Sequence, residues 1–195
     1  MQENEKAAKG ARNRHAATLR HTKRLTSAAL LAALSFLLGF LAKAIQGTGP
    51  LRVTVEGLPI VLAGTVLGPF YGAAVGVVAD LASCLSAGQA PLPLIALGSA
   101  LVGLVPGVLS RLFMRGERPL AAPPRFLLLL LLDGCAHAVG SVLVKSFALS
   151  RWYGFNTLIF RLPIYCGIIL VESYLLYLLL RSAAVRREIE RGVLR

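Results

Sequence analysis

Apolar residues run along this chain in long uninterrupted blocks, separated by short stretches rich in Gly, Pro, Gln and Arg. The first block, Leu25 to Ile45, holds a single charge, Lys43, near its far end. About 20 apolar residues cross a bilayer core, so this block predicts a spanning helix. After the turn-rich Gln46-Gly-Thr-Gly-Pro50 comes Val53 to Ala87, too long for one helix and punctuated by Gly68-Pro69. It reads as a hairpin of helices over 53–67 and 70–87. A helix of about 15 residues covers only about 22 Å, so the second helix must be sheltered by neighbours or be partly re-entrant. Gly88 to Pro93 closes the hairpin, and helices follow over 94–113, with Pro106 inside, over 126–149 and over 155–180. The pattern predicts an all-α membrane protein of six transmembrane helices over 25–181, with basic tails at 1–24 and 182–195.

Composition agrees: 56% of the 195 residues are apolar and 15% charged, against about 45 to 50% apolar in soluble domains. A multidomain soluble enzyme, a disordered chain and a disulfide scaffold are excluded. Cys84, Cys135 and Cys166 fall inside predicted helices and read as small core residues. The net charge of +12 would suggest nucleic acid in a soluble protein. Its distribution says otherwise: 1–24, 111–125 and 181–195 together carry +11, leaving +1 for everything else. Cytoplasmic loops are enriched in Lys and Arg. With the hairpin, all three segments fall on one side, so both termini are expected in the cytoplasm and no nucleic-acid partner is expected.

Small residues recur at every fourth position, as Gly64, Gly68, Gly72 and Gly76 and again as Ser99, Gly103 and Gly107. Such faces let helices approach closely where lipid removes the hydrophobic effect. The pairs Ala28/Ala32 and Ala29/Ala33 admit two uses, internal packing or docking on another membrane protein.

Charges within spans are costly and are functional candidates. Given the topology, Lys43, Arg52, Glu56, Asp80, Lys145 and Arg161 fall in the outer half, with Gln46, Gln89, Arg151, Trp152, Tyr153 and Asn156 in or beside the outer loops. This net-positive mouth suits a small anionic solute. The plainer alternative is that Lys43, Arg52 and Lys145 snorkel to headgroups while Trp152 and Tyr153 anchor the interface. The predicted substrate-contacting set is Lys43, Arg52, Glu56, Asp80, Gln89, Arg151, Trp152, Asn156 and Arg161. Asp133 and His137, one turn apart around Cys135, read as a mutually satisfied pair without enough ligands for a metal site. Glu172 is expected to pair with an Arg or to sit at an interface.

No Gly-x-x-x-x-Gly-Lys, Gly-x-Ser-x-Gly or His-Glu-x-x-His motif occurs, so ATP hydrolysis by the phosphate-loop route is not expected, the case for an intramembrane hydrolase is weakened, and no cofactor is expected. A self-contained proton-coupled carrier using Asp80 and Glu56 stays open. Six helices without an inverted repeat fit better a binding subunit that takes its energy from partners.

The run Arg52-Val-Thr-Val-Glu-Gly-Leu-Pro-Ile-Val-Leu-Ala-Gly-Thr-Val-Leu-Gly-Pro-Phe-Tyr-Gly-Ala-Ala-Val-Gly-Val-Val-Ala-Asp80, with Ser99-Ala-Leu-Val-Gly-Leu-Val-Pro-Gly107, resembles the substrate-binding S component of energy-coupling factor (ECF) transporters, most closely the folate type (FolT). The resemblance implies a six-helix bundle in the bacterial cell membrane. That bundle would capture a vitamin, folate first, and associate with a T subunit carried by two ATPases. It implies that Ala28, Ala29, Ala32 and Ala33 form the docking face. The chain departs from the folate pattern at Val55 and Gly57, where family members place Phe, and at Pro91-Leu-Pro-Leu-Ile95. Stacking positions for a pteridine would then pass to Trp152, Tyr153 or Phe155. A queuosine precursor and pantothenate are the alternative ligands. For folate, the dicarboxylate tail would suit Lys43, Arg52, Arg151 and Arg161, while Asp80 or Glu56 would accept from pterin N–H groups.

Overall fold

A computed structural model describes residues 2–46, 53–113, 126–154, 156–183, 185 and 187. The described residues are overwhelmingly helical and contain no strand. Helix α1 runs unbroken over Gln2–Gln46. At 1.5 Å per residue it is roughly 65 Å long, about twice the bilayer core. The sequence pattern places the first helix at Leu25, because the preceding residues lack an apolar run. Those residues are nevertheless rich in Ala, Lys and Arg, good helix formers, and contain no Pro, so the helix is not broken there.

Helix α2, Gly57–Leu67, is four residues shorter at its start than the pattern suggests, because 53–56 is not helical. It ends at Gly68, whose φ of 109° suits glycine and whose N–H bonds Ala63 O at 3.2 Å and Gly64 O at 3.1 Å. Pro69 then opens helix α3, Pro69–Ser86. Helix α4 is Pro93–Phe113. The next span begins as α5, Phe126–Ala136, widens into a π-helical segment, His137–Lys145, and finishes as α6, Ser146–Tyr153, stopped by Gly154 at φ 76°. Helix α7 is Asn156–Arg181. Among the described residues, five helical stretches are long and apolar enough to cross a membrane, and α2 is a shorter apolar sixth.

The small-residue faces are packing faces inside the bundle. A Cβ on Gly103 would stand 2.0 Å from Gly72 O, and one on Gly76 would stand 2.1 Å from Ser99 O. Helices α3 and α4 therefore meet backbone to backbone, and they share the most extensive contact in the fold. Val61, Val102, Leu129, Leu132, Ala136 and Leu176 form the core, whereas Leu30, Phe70, Leu127 and Ile159 point outward. Apolar side chains on both inner and outer faces are what a lipid environment selects. Ala28 and Ala32 are buried in the core cluster. Ala29 and Ala33, one position further round the helix, lie exposed.

Candidate functional site

A polar cavity opens within the bundle between α1, the 53–56 segment, α2, α3, α4, the π segment and α7. Its atom-free space is about 540 Å³ with the open mouth included. The wall carries the carboxylates Glu56 and Asp80, the Lys145 ammonium, the hydroxyls of Ser35, Thr54, Ser83, Ser99 and Ser141, His137, and the rings of Phe36 and Tyr165.

Local constraints place each group. The Gln46 carboxamide grips the main chain of Val53 from both sides: Nε2 donates to Val53 O at 2.6 Å and Oε1 accepts from Val53 N at 2.9 Å. This holds the extended segment against the end of α1 as a neighbouring strand would. Ser35 Oγ donates to Glu56 O at 2.7 Å. Gly39 leaves the space that the Glu56 carboxylate occupies, since a Cβ there would meet Glu56 Oε2 at 2.3 Å. Gly98 does the same for the stem of Lys145, whose Cγ would lie 2.6 Å from a Cβ at that position. On the π segment, His137, Ser141 and Lys145 recur at every fourth residue and all face the cavity. Asp80 presents a buried Oδ2 that accepts no hydrogen bond.

Behind His137 lies a fully enclosed polar group. Its Nε2 pairs with Glu172 Oε2 at 2.7 Å and stands 3.5 Å from Asp133 Oδ1, while Nδ1 bonds Ser141 Oγ at 3.1 Å. Glu172 thus finds His137 and Leu58 N, which donates to Oε1 at 3.2 Å, in place of the Arg or interface expected for it. The expected Asp133–His137 pairing is the longer of the two His137 contacts. On the other flank, Arg161 Nη2 donates to Tyr165 Oη at 2.9 Å, and its Cζ stands 5.2 Å from the centroid of the same ring. The Tyr165 ring also packs on His137 with centroids 5.7 Å apart.

Of the charges singled out from the sequence, Glu56, Asp80 and Lys145 line the cavity, Lys145 being an expected outer-half charge outside the predicted substrate-contacting set. Lys43 sits at its edge, donating from Nζ to Ser83 O at 2.9 Å and also to Ser83 Oγ, so it ties α1 to α3. Arg161 is buried beside Tyr165 rather than in the cavity wall. Gln89 is exposed in the turn after α3, its N–H bonded to Cys84 O at 3.0 Å, and does not line the cavity. Arg52 and Phe155 lie outside the described residues, as do the side chains of Arg151, Trp152, Tyr153 and Asn156. The aromatic faces in the cavity are Phe36 and Tyr165. Neither was singled out from the sequence, nor were Ser99, Ser141 and His137 as cavity residues. The fourth-residue spacings His137–Ser141–Lys145 and Arg161–Tyr165 were the available signal.

Residues 23–185, most of the chain, match the family model described as ECF transporter, substrate-specific component. No curated protein matches the chain.

Proposed function

The chain belongs to the ECF transporter substrate-specific component family, and from that premise we propose that the cavity is where it captures a folate for uptake through the cell membrane. The observation that carries this reading is the polar cavity itself, in which carboxylates, a cation and aromatic rings converge within an apolar bundle. Asp80 and Glu56 would accept hydrogen bonds from the amino and ring N–H groups of a pterin. Phe36 and Tyr165 offer it flat apolar faces. Lys145, and Arg161 behind Tyr165, suit the anionic tail. Both termini would lie in the cytoplasm, with the cavity opening outward. Binding to a T subunit with two ATPases would supply the energy, and the exposed Ala29 and Ala33 are the part of the alanine face free to dock.

The chain has one tryptophan, Trp152, so folates can be titrated against the purified protein by intrinsic fluorescence. Saturable binding of folic acid or a reduced folate is expected. No saturable binding of any folate would remove the substrate while leaving the family, and mass spectrometry of co-purified small molecules would then separate a queuosine precursor from pantothenate. Uptake by this chain alone in liposomes, driven by a pH gradient, would favour a self-contained carrier instead.

A further inference from the structure

Asp133, His137 and Glu172 come from α5, the first residue of the π segment and α7, and each turns one donor atom toward a common point: Oδ1, Nε2 and Oε2, all within 4.8 Å of one another. All three are enclosed, with exposures of 1%, 4% and 1%. We propose that they form a binding site for a divalent transition-metal ion of zinc-like chemistry, with a remaining coordination position on the side of the cavity.

Four observations carry the proposal independently of which vitamin is bound. The first is how the donors are oriented. The atom of each residue that does not face the common point is held from outside: Ser173 Oγ donates to Asp133 Oδ2 at 3.0 Å, Ser141 Oγ bonds His137 Nδ1 at 3.1 Å, and Leu58 N donates to Glu172 Oε1 at 3.2 Å. Metal ligands are characteristically fixed by such outer hydrogen bonds, which set the imidazole tautomer and aim the carboxylates. The second is an orphan. Asp133 Oδ1 is fully buried and accepts no hydrogen bond, an expensive state for a carboxylate oxygen unless something else binds it.

The third is charge. The only ion-pair partner of either carboxylate among the described residues is His137. With both carboxylates ionised, the group is negative in total whichever way the imidazole is protonated. With a neutral imidazole they balance a dication, which removes the cost of an uncompensated buried charge. The fourth is space. A Cβ on Gly57 would stand 2.7 Å from His137 Cε1 and 2.8 Å from both His137 Nε2 and Glu172 Oε2. Gly57 and His137 also line the cavity, so no side chain at position 57 stands between the donors and the cavity.

Donor chemistry selects the ion. One imidazole nitrogen with two carboxylate oxygens suits zinc, manganese, iron(II) or cobalt better than calcium or magnesium, which prefer all-oxygen shells. Arms of about 2.1 Å in a tetrahedron put donors roughly 3.4 Å apart, close to the 3.5 Å between Nε2 and Oδ1. The 2.7 Å between Nε2 and Oε2 is a hydrogen bond that the ion would replace. Starting from the imidazolium, the Nε2 proton leaves to solvent as the ion binds, Nδ1 keeps its proton and donates it to Ser141 Oγ, and a water or an acceptor atom of the substrate completes the shell.

The test uses the full chain with its affinity tag removed, purified in detergent and stripped with a chelator. Cobalt(II) is then titrated in while visible absorption is read, and bound metal is counted by mass spectrometry after desalting. One cobalt per chain is expected, with a visible d–d band that zinc abolishes. Asp133→Asn and Glu172→Gln should each weaken cobalt binding at least about 100-fold, since even outer-shell losses cost 10- to 100-fold. Cobalt stoichiometry below one, or no visible band in the wild type, would overturn the proposal, leaving a buried hydrogen-bonded cluster. Undiminished binding in Glu172→Gln would overturn it too, pointing to His15 or His21 on the exposed part of α1 as the site. Should a variant fail to fold, X-ray absorption on the zinc-loaded wild type decides: a nitrogen-plus-oxygen shell with one imidazole supports the site, and a shell with two or more imidazoles refutes it. None of these readouts involves folate, so failure of the substrate reading leaves the metal test intact.

Discussion

Arg161 and Tyr165 stand one turn apart on α7, and the single hydrogen bond between them, Nη2 to Oη at 2.9 Å, is the only one the guanidinium makes among the described residues. Nε and Nη1 are buried without an acceptor, although the residue is only 6% exposed. A buried cation with unfilled donors costs stability until an anion arrives. Arg161→Met should therefore raise the melting temperature of the ligand-free protein, by roughly 2 to 4 °C for each kcal/mol recovered. The same change should weaken an anionic ligand about 10- to 100-fold while sparing a neutral pterin, as read by fluorescence titration. A lower melting temperature with unchanged affinity would show that the arginine serves the fold alone.

Asp80 and Glu172 separate two roles for a carboxylate within the membrane. Asp80 faces the cavity and Glu172 is enclosed against His137 and Leu58 N. Asp80→Asn should weaken ligand binding by about tenfold or more with little change in melting temperature, the loss of one charge-assisted hydrogen bond. Glu172→Gln should chiefly lower the melting temperature. Isothermal titration beside thermal melting of both variants checks the pair, and the reverse order would place the ligand on the wrong side of His137.

The four alanines of α1 divide by face. Ala29→Trp and Ala33→Trp, on the exposed side, should abolish co-purification with the T subunit while ligand binding survives. Ala28→Trp and Ala32→Trp enter the core cluster and should instead destabilise the protein itself by overpacking, about 1 to 3 kcal/mol each. Retention of the partner by Ala29→Trp would assign docking to another surface.

Gly103 tests the backbone contact between α3 and α4. A Cβ there would stand 2.0 Å from Gly72 O, and a main-chain atom cannot rotate away. Gly103→Ala should cost about 2 to 3 kcal/mol despite the roughly 1 kcal/mol gain in helix propensity. Thermal melting in detergent measures it, and Gly88→Ala is not a substitute control because Gly88 has φ 63°. Gly167→Ala, with open space around it, should be neutral or mildly stabilising.

Apolar block length and Gly/Pro punctuation were enough to place the apolar spans, the break at Gly68-Pro69 and the small-residue faces, because those features depend on residues near one another in the chain, though not to place the true starts of α1 and α2. The family was legible for the same reason, in the run from Arg52 to Gly107. Much of the candidate site was not. Glu56 and Asp80 were visible as charges in apolar surroundings, yet nothing in the pattern distinguished Lys43, spent on Ser83, from Lys145, which faces the cavity. His137 meets Glu172 across 35 residues of sequence, and Phe36 and Tyr165 were two aromatics among many apolar neighbours.

In a soluble helix the apolar stripe tells which side is buried. Here Leu127, exposed, and Leu129, buried, are the same residue two positions apart, because lipid and core both accept leucine. The sequence alone therefore determined that this chain is a helical membrane bundle of a recognisable family and where its helices turn. Which faces meet, and so which polar side chains share a cavity and which are enclosed behind it, was decided only by tertiary packing, since close backbone contacts between glycines set helix positions that no local pattern encodes.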